Sequence, residues 1–188
     1  MGSLSEAQRE LVLGCLLGDG TMRCKTNALL EINHSFHQRT YVDFKYRRLA
    51  NLVRTPPRKR NGNGSRVAYR FVTRSIPELT PFYRLFYAER TKVIPELVLT
   101  PLTMAVWFMD DGSRSRSAVY LNTQQFDERS QRRLLLLLQE QWGILGTLNK
   151  DKCYKRIRLS VESTRRFVQV IEPHLLPEFG YKLPQVTP

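Results

Sequence analysis

The chain has 188 residues, 41% hydrophobic and 10% aromatic, which is enough apolar mass for one or two packed units and too much for a disordered tail. Lysine and arginine number 30 against 17 acidic residues, a formal charge of +13, so the partner expected is a polyanion. The basic residues are spread along the chain among Tyr, Asn and Gln rather than gathered opposite one apolar helical face, which favours nucleic acid over a membrane surface.

Cys15, Cys24 and Cys153 form an odd set without Cys-x-x-Cys spacing, which argues against a disulfide framework or a zinc site and suits a reducing compartment. No apolar stretch is long enough to span a bilayer, so no membrane partner is expected. Leu134–Leu138 is bracketed by Arg132, Arg133, Gln139 and Glu140 and reads as core helix. The first residues show no hydrophobic signal region.

In chain order, Leu11-Val-Leu-Gly-Cys-Leu-Leu-Gly-Asp19-Gly20 predicts a helix closed by an Asp-Gly pair, followed by a hairpin over 21–36 with Leu30, Ile32 and Phe36 near its end. Tyr41, Phe44, Tyr46, Leu49, Leu52 and Val53 recur at helical spacing until Pro56-Pro57 ends the run. Arg58-Lys59-Arg60-Asn61-Gly62-Asn63-Gly64 reads as a basic turn into a strand, Val67–Thr73, and a helix from about Pro77 carries Phe82, Leu85 and Phe86. The second half opens with Leu102-Thr-Met-Ala-Val-Trp-Phe-Met-Asp110-Asp111-Gly112, again an apolar run closed by Asp-Gly. A strand over Ala118–Gln124, a helix over Asp127–Trp142, a hairpin over Leu148–Val161 and a helix from Ser163 to about Leu176 follow.

The order of elements therefore repeats once. Ile32-Asn33-His34-Ser35-Phe36 and Leu121-Asn122-Thr123-Gln124-Gln125-Phe126 end equivalent strands, and aligning their phenylalanines sets His34 opposite Gln124. Two copies of so long a period point to an α+β pseudo-dimer of αββαββα halves, 5–95 and 96–188, each built on an antiparallel sheet.

The paired motifs resemble those of the LAGLIDADG homing endonucleases in their single-chain, two-motif form, with Trp107-Phe108-Met109-Asp110-Asp111-Gly112 the nearest match. The resemblance runs from the first motif to Tyr181-Lys-Leu-Pro184. It implies saddle-shaped sheets in halves packed through the two motif helices, and an intron- or intein-associated endonuclease that cuts both strands of DNA at a specific site, leaving short 3′ overhangs. It further implies Mg²⁺ as cofactor, Mn²⁺ as a substitute and Ca²⁺ as a metal that binds without supporting cleavage. The implied partner is double-stranded DNA with a long asymmetric site, met by a monomer in an intracellular setting such as a mitochondrion or plastid. The alternative on the same fold is an intron maturase that binds intron RNA. The chain departs from the family pattern at the first acidic position, where Leu17 and Met109 stand, and at Val106, where the pattern has Gly.

An Asp in the last turn of a helix adds its charge to carbonyls that are themselves unpaired and negative, an arrangement that attracts a cation. If the two motif helices lie side by side, Asp19 and Asp111 and the main-chain carbonyls of Gly18 and Asp110 form a hard-oxygen set suited to Mg²⁺, with Gly14 and Gly18 allowing close approach. Two quasi-equivalent acids then serve the two strands of a duplex. The resemblance places Lys92, in a Lys-x-Ile-Pro setting, and Lys182, in a Tyr-Lys-Leu-Pro setting, where an ammonium stabilises charge developing at the phosphate. His34 and Gln124 are the candidates for ordering the attacking water. His34-x-x-His37 lacks the acidic or cysteine partners that would complete a zinc site.

Strands laid in the major groove present alternate residues to the bases. The DNA-binding residues expected are Arg23, Lys25, Asn33, Arg66, Arg70 and Arg74 in the first half and Arg114, Arg116, Asn122, Lys152, Lys155, Arg156 and Arg158 in the second. Arg58 and Arg60, in the basic turn, are expected to clamp phosphate. Three histidines scarcely supply a metal-histidine nuclease site, and no helix-turn-helix segment is visible beyond the two halves.

Overall fold

The computed structural model describes residues 3–62, 66–89 and 91–184. The chain divides into two compact units, 1–84 and 85–188, so the boundary expected at 95/96 falls inside the second unit.

The first unit begins with α1 (Glu6–Leu17), whose start is set by a reciprocal cap: the Gln8 amide N–H donates to Ser5 Oγ at 3.2 Å, and the Ser5 N–H donates to Gln8 Oε1 at 3.1 Å. The hairpin β1 (Thr21–Cys24) and β2 (Ala28–Ser35) follows, then α2 (Arg39–Leu49), the hairpin β3 (Arg58–Asn61) and β4 (Val67–Val72), and α3 (Thr80–Phe86), which crosses the unit boundary. The strands form one antiparallel sheet in the order β1-β2-β4-β3. Ala28, Leu30, Ile32 and His34 of β2 are buried, while Leu29, Glu31, Asn33 and Ser35 lie on its other face. Leu11, Val12, Cys15, Leu16 and Leu17 of α1 and Tyr41, Val42, Phe44 and Leu49 of α2 complete the core.

Arg58–Asn61 is an exposed edge strand rather than a turn, because Arg58, Lys59, Arg60 and Asn61 pair through their backbones with Arg70, Tyr69, Ala68 and Val67. A strand with no apolar alternation is invisible to periodicity, and charged edges of this kind discourage pairing with other chains. Asn63 and Gly64 of the expected basic turn lie outside the described residues.

In the second unit a short hairpin, β5 (Tyr87–Ala88) and β6 (Thr91–Lys92), precedes α4 (Pro101–Asp111). Then come β7 (Gly112–Ser115), β8 (Ala118–Leu121), α5 (Glu128–Trp142), β9 (Gly146–Asp151), β10 (Tyr154–Leu159) and α6 (Val161–Ile171), with short 3₁₀ segments at 172–174 and 177–182. The sheet order is β7-β8-β10-β9, the same connectivity as in the first unit, so both units are αββαββα repeats on antiparallel sheets. Residues 102–109 of α4 are all buried, as its lack of any polar face before Asp110 requires. The α5 helix stops at Gly143, whose left-handed φ of 61° lets its N–H reach the Gln139 carbonyl.

Strand β7 carries no strand signal of its own, since Gly-Ser-Arg-Ser has little strand propensity and is recruited by pairing with β8. Strand β8 ends at Leu121 rather than Gln124, and the last helix ends at Ile171, where Pro173 follows in a 3₁₀ turn.

Candidate active site and nucleic-acid interface

Each Asp-Gly pair is a helix stop that turns the chain directly into a strand. Gly20 donates its N–H to the Cys15 carbonyl at 2.7 Å, and a Cβ there would stand 2.8 Å from Cys15 Cβ. A Cβ on Gly112 would strike the Phe108 ring and carbonyl. Glycine is therefore required at both positions by close approach to the last helical turn, and the preceding aspartate is left at the helix end with its carboxylate turned to the margin. Asp19 is half-exposed, and Asp111 is partly exposed.

In the first unit, Asp19 Oδ2 lies 3.5 Å from His34 Nδ1. The imidazole is buried at the end of β2; its Nε2 is 3.1 Å from Lys45 Nζ, and its ring tilts against Tyr41. In the second unit, Asp111 Oδ2 accepts from Gln125 Nε2 at 3.0 Å, and Gln125 Oε1 accepts from Lys92 Nζ at 3.2 Å. Lys182 Nζ donates to the Met109 carbonyl at 2.7 Å and to that of Asp110 at 3.1 Å, a cation placed on the negative end of α4.

Among the water-ordering candidates, His34 therefore meets its aspartate, whereas Gln124 does not. The Gln124 amide donates to Asp151 Oδ2 at 2.8 Å, and Gln125 takes the place beside Asp111. The reason is the loop between β8 and α5, which is clamped by one buried side chain. Gln131 Nε2 donates to the carbonyls of Thr123 at 2.8 Å, Phe126 at 3.2 Å and Lys155 at 2.9 Å. The alignment on the phenylalanines selects Gln124, but the strand ends at Leu121 and alternation no longer governs side-chain direction beyond it. The Asp110 carbonyl, expected among the metal ligands, accepts from the Lys182 ammonium.

Strand registers sort the basic residues by face. In the first sheet Arg23 lies opposite Leu29, and Asn33 opposite Arg70, which pairs in turn with Arg58, so Arg23, Asn33, Arg58, Arg60 and Arg70 share the outer face. Glu31 sits among them and holds Arg23 at 2.9 Å and Arg70 at 3.1 Å. Lys25 is an exposed turn residue, and Arg66 an exposed residue leading into β4. Arg74 turns to the Asn51 carbonyl at 2.7 Å.

In the second sheet Arg158 pairs with Tyr120 and Thr147, and Arg156 with Asn149, all on the outer face. Arg156 reaches Asn122 Oδ1 at 3.2 Å and lies 4.2 Å from the Tyr120 ring centroid. Arg116 and Lys152 occupy hairpin turns with φ of 50° and 57°. Lys155 and Arg114 fall on the opposite parity. Lys155 shares the side of buried Ile157 and binds Glu128 Oε2 at 2.6 Å, and with Arg132 it holds the Glu128 carboxyl below its usual range. Arg114, opposite buried Val119, donates to the Leu183 carbonyl at 3.3 Å.

Two αββαββα units, each delivering an aspartate from a helix terminus to the margin of a sheet with a basic outer face, define a duplicated α+β protein of nucleic-acid-processing type. The chain belongs to the LAGLIDADG DNA endonuclease family, which it matches over residues 9–167. It is 33% identical to protein RecA of Mycobacterium gastri across 96% of its own length, and spans about half (48%) of that protein. It is 27% identical to the cytochrome b mRNA maturase bI2 of Debaryomyces hansenii, covering 96% of this chain and 74% of that one. Its fold is that of the homing endonuclease I-WcaI, solved bound to its DNA recognition sequence, with a TM-score of 0.89 at 24% identity over 97% of this chain and 88% of the other. Among the described residues no helix is long and apolar enough to cross a membrane.

Proposed function

We propose that this chain is a site-specific double-strand DNA endonuclease that hydrolyses one phosphodiester bond on each strand with a divalent metal. The observation that carries this reading is the repeat of the same device: a helix-terminal aspartate with a polar partner and a lysine behind it, Asp19–His34–Lys45 in one unit and Asp111–Gln125–Lys92 in the other. One acid per unit matches one cut per strand.

The donor chemistry fits a hard cation. Asp19 and Asp111 offer carboxylate oxygens, and the Gly18 carbonyl at the end of α1 is of the same kind. Mg²⁺ is the metal proposed, with Mn²⁺ able to replace it and Ca²⁺ holding DNA without supporting cleavage. When bound, the metal lowers the pKa of a coordinated water and screens the charge gathering on the phosphate. Lys182, fixed on the α4 terminus, and Lys92 supply positive charge beside Asp111, and His34 and Gln125 orient their carboxylates.

The two outer faces present different residues, which supports an asymmetric target read by a single chain. Arg23, Asn33, Arg58, Arg60 and Arg70 serve one half-site, and Asn122, Arg156 and Arg158 the other, with Lys25, Arg66, Arg116 and Lys152 on phosphates. Short 3′ overhangs, an intron or intein host gene and a setting inside a cell or organelle belong to the same proposal.

The test is cleavage of a plasmid library of candidate intron-free gene junctions in Mg²⁺ and in Ca²⁺, with the ends sequenced. Staggered cuts at one site in Mg²⁺ alone support the endonuclease. Tight, salt-sensitive binding of intron RNA without any cutting favours the second reading, an RNA maturase, which the likeness to the Debaryomyces hansenii maturase supports.

A further inference from the structure

Lys45 is fully buried on α2, an expensive place for an ammonium group. Its Nζ stands 3.1 Å from His34 Nε2 and 4.2 Å from the centroid of the Tyr41 ring, whose π face favours a cation. His34 is itself only 4% exposed, and its other nitrogen faces Asp19 Oδ2 at 3.5 Å. Carboxylate, imidazole and ammonium thus stand in series through the first unit.

We propose that Lys45 is a positioning residue that fixes the tautomer of His34, so that Nε2 accepts from the lysine and Nδ1–H points at the Asp19 carboxylate. An ammonium has three donors and no lone pair, so the nitrogen facing it must be the bare one. A neutral imidazole then carries its proton on Nδ1, and that proton meets the carboxylate. The reverse tautomer would set an N–H against Nζ and a lone pair against Asp19, unfavourable at both ends.

The second unit supports the assignment independently, because an amide has a built-in polarity. Gln125 donates through Nε2 to Asp111 and accepts through Oε1 from Lys92, the same direction of donation from lysine through a neutral polar group to the aspartate. His34 in this tautomer does with a ring what Gln125 does with an amide. One consequence is that, in this tautomer, Nδ1 presents an N–H rather than a lone pair toward Asp19, so His34 orients the carboxylate. The value of this alignment to DNA cleavage rests on the endonuclease reading, whereas the tautomer does not.

The experiment is a long-range ¹H–¹⁵N spectrum of the histidine rings in the full chain, recorded without DNA or metal, with the His34 signals assigned by their loss in His34→Gln. The native protein is expected to show a protonated Nδ1 and a bare Nε2. Lys45→Met should lose that signature in favour of the other tautomer or a mixture, and Lys45→Gln, whose amide still donates, should restore it. A native His34 protonated on Nε2, or a signature unchanged in Lys45→Met, would overturn the proposal. If Lys45→Met does not fold, the native spectrum decides by itself. Failure to cleave any DNA would count against the endonuclease reading and leave this spectrum as it is.

Discussion

Gln125 donates its side-chain amide to Asp111 across 3.0 Å, while its sequence neighbour Gln124 turns away to Asp151. Removing a group that orients a metal-binding carboxylate costs about 10–100-fold in activity. Gln125→Ala should therefore slow single-turnover cleavage by that factor with DNA affinity unchanged, and Gln124→Ala should leave the rate near that of the native protein. Equal losses in the two variants would contradict the contact geometry.

Asp19→Asn and Asp111→Asn keep side-chain size and remove the charge. Each should reduce double-strand cleavage by at least about a hundredfold while gel-shift affinity for the same DNA in Ca²⁺ stays within about threefold. Nicked product from either single variant would show that each acid serves one strand. Parallel loss of binding and cutting would remove the aspartates from the chemistry.

Lys182 caps the carbonyls of Met109 and Asp110. A cation at a helix C-terminus contributes about 0.3–1 kcal/mol, so Lys182→Ala should lower the unfolding free energy by that order and slow cutting more than binding. Thermal denaturation and single-turnover kinetics measured on one preparation separate the two effects, and an unchanged cleavage rate would reduce Lys182 to a structural cap.

Salt dependence separates the two faces of the second sheet. Arg158 is on the outer face, and Lys155 is turned to Glu128. Arg158→Ala should reduce the slope of log affinity against log salt by about 1 if the guanidinium meets a phosphate. Lys155→Ala should leave the slope unchanged. A reversed pattern would mean that DNA lies on the helical side.

Asp127 caps α5 by accepting the Ser130 N–H at 2.7 Å, and this bond, helped by the Ser130 hydroxyl, holds its carboxyl below the usual range. A carboxyl depressed in the folded state stabilises fully above its unfolded value of 3.8, and that contribution is lost as pH falls through the folded value. Asp127→Ala should cost about 1 kcal/mol at neutral pH. Asp127→Asn should keep most of the cap and flatten the dependence of stability on pH below about pH 4 in acid denaturation.

Much of the architecture could be read from the chain because it depends on local rules. The two Asp-Gly stops, the amphipathic run over 128–142 and the alternation of Leu30 and Ile32 announce helices and a half-buried strand through their own periods. The repeat of these signals discloses the duplication, and the motif glycines are dictated by the helical turn that each folds against. Strands β3 and β7 could not be found this way, since neither carries an apolar alternation and both exist through the partner strand beside them.

Composition and short-range periodicity, being properties of neighbours along the chain, are enough to specify a basic, duplicated α+β protein with one helix-terminal aspartate in each copy. Which groups stand beside those aspartates follows from contacts between residues distant along the chain. Lys45 lies 11 residues from His34 and appears in sequence as one more basic residue of α2. Gln125 displaces Gln124 because Gln131 clamps their loop, and Lys155 and Arg114 leave the outer face because register assigns them to the other side. Those outcomes depend on backbone pairing and buried hydrogen bonds between residues far apart in sequence, where the energy of a polar group is set by the partner it finds once water is excluded.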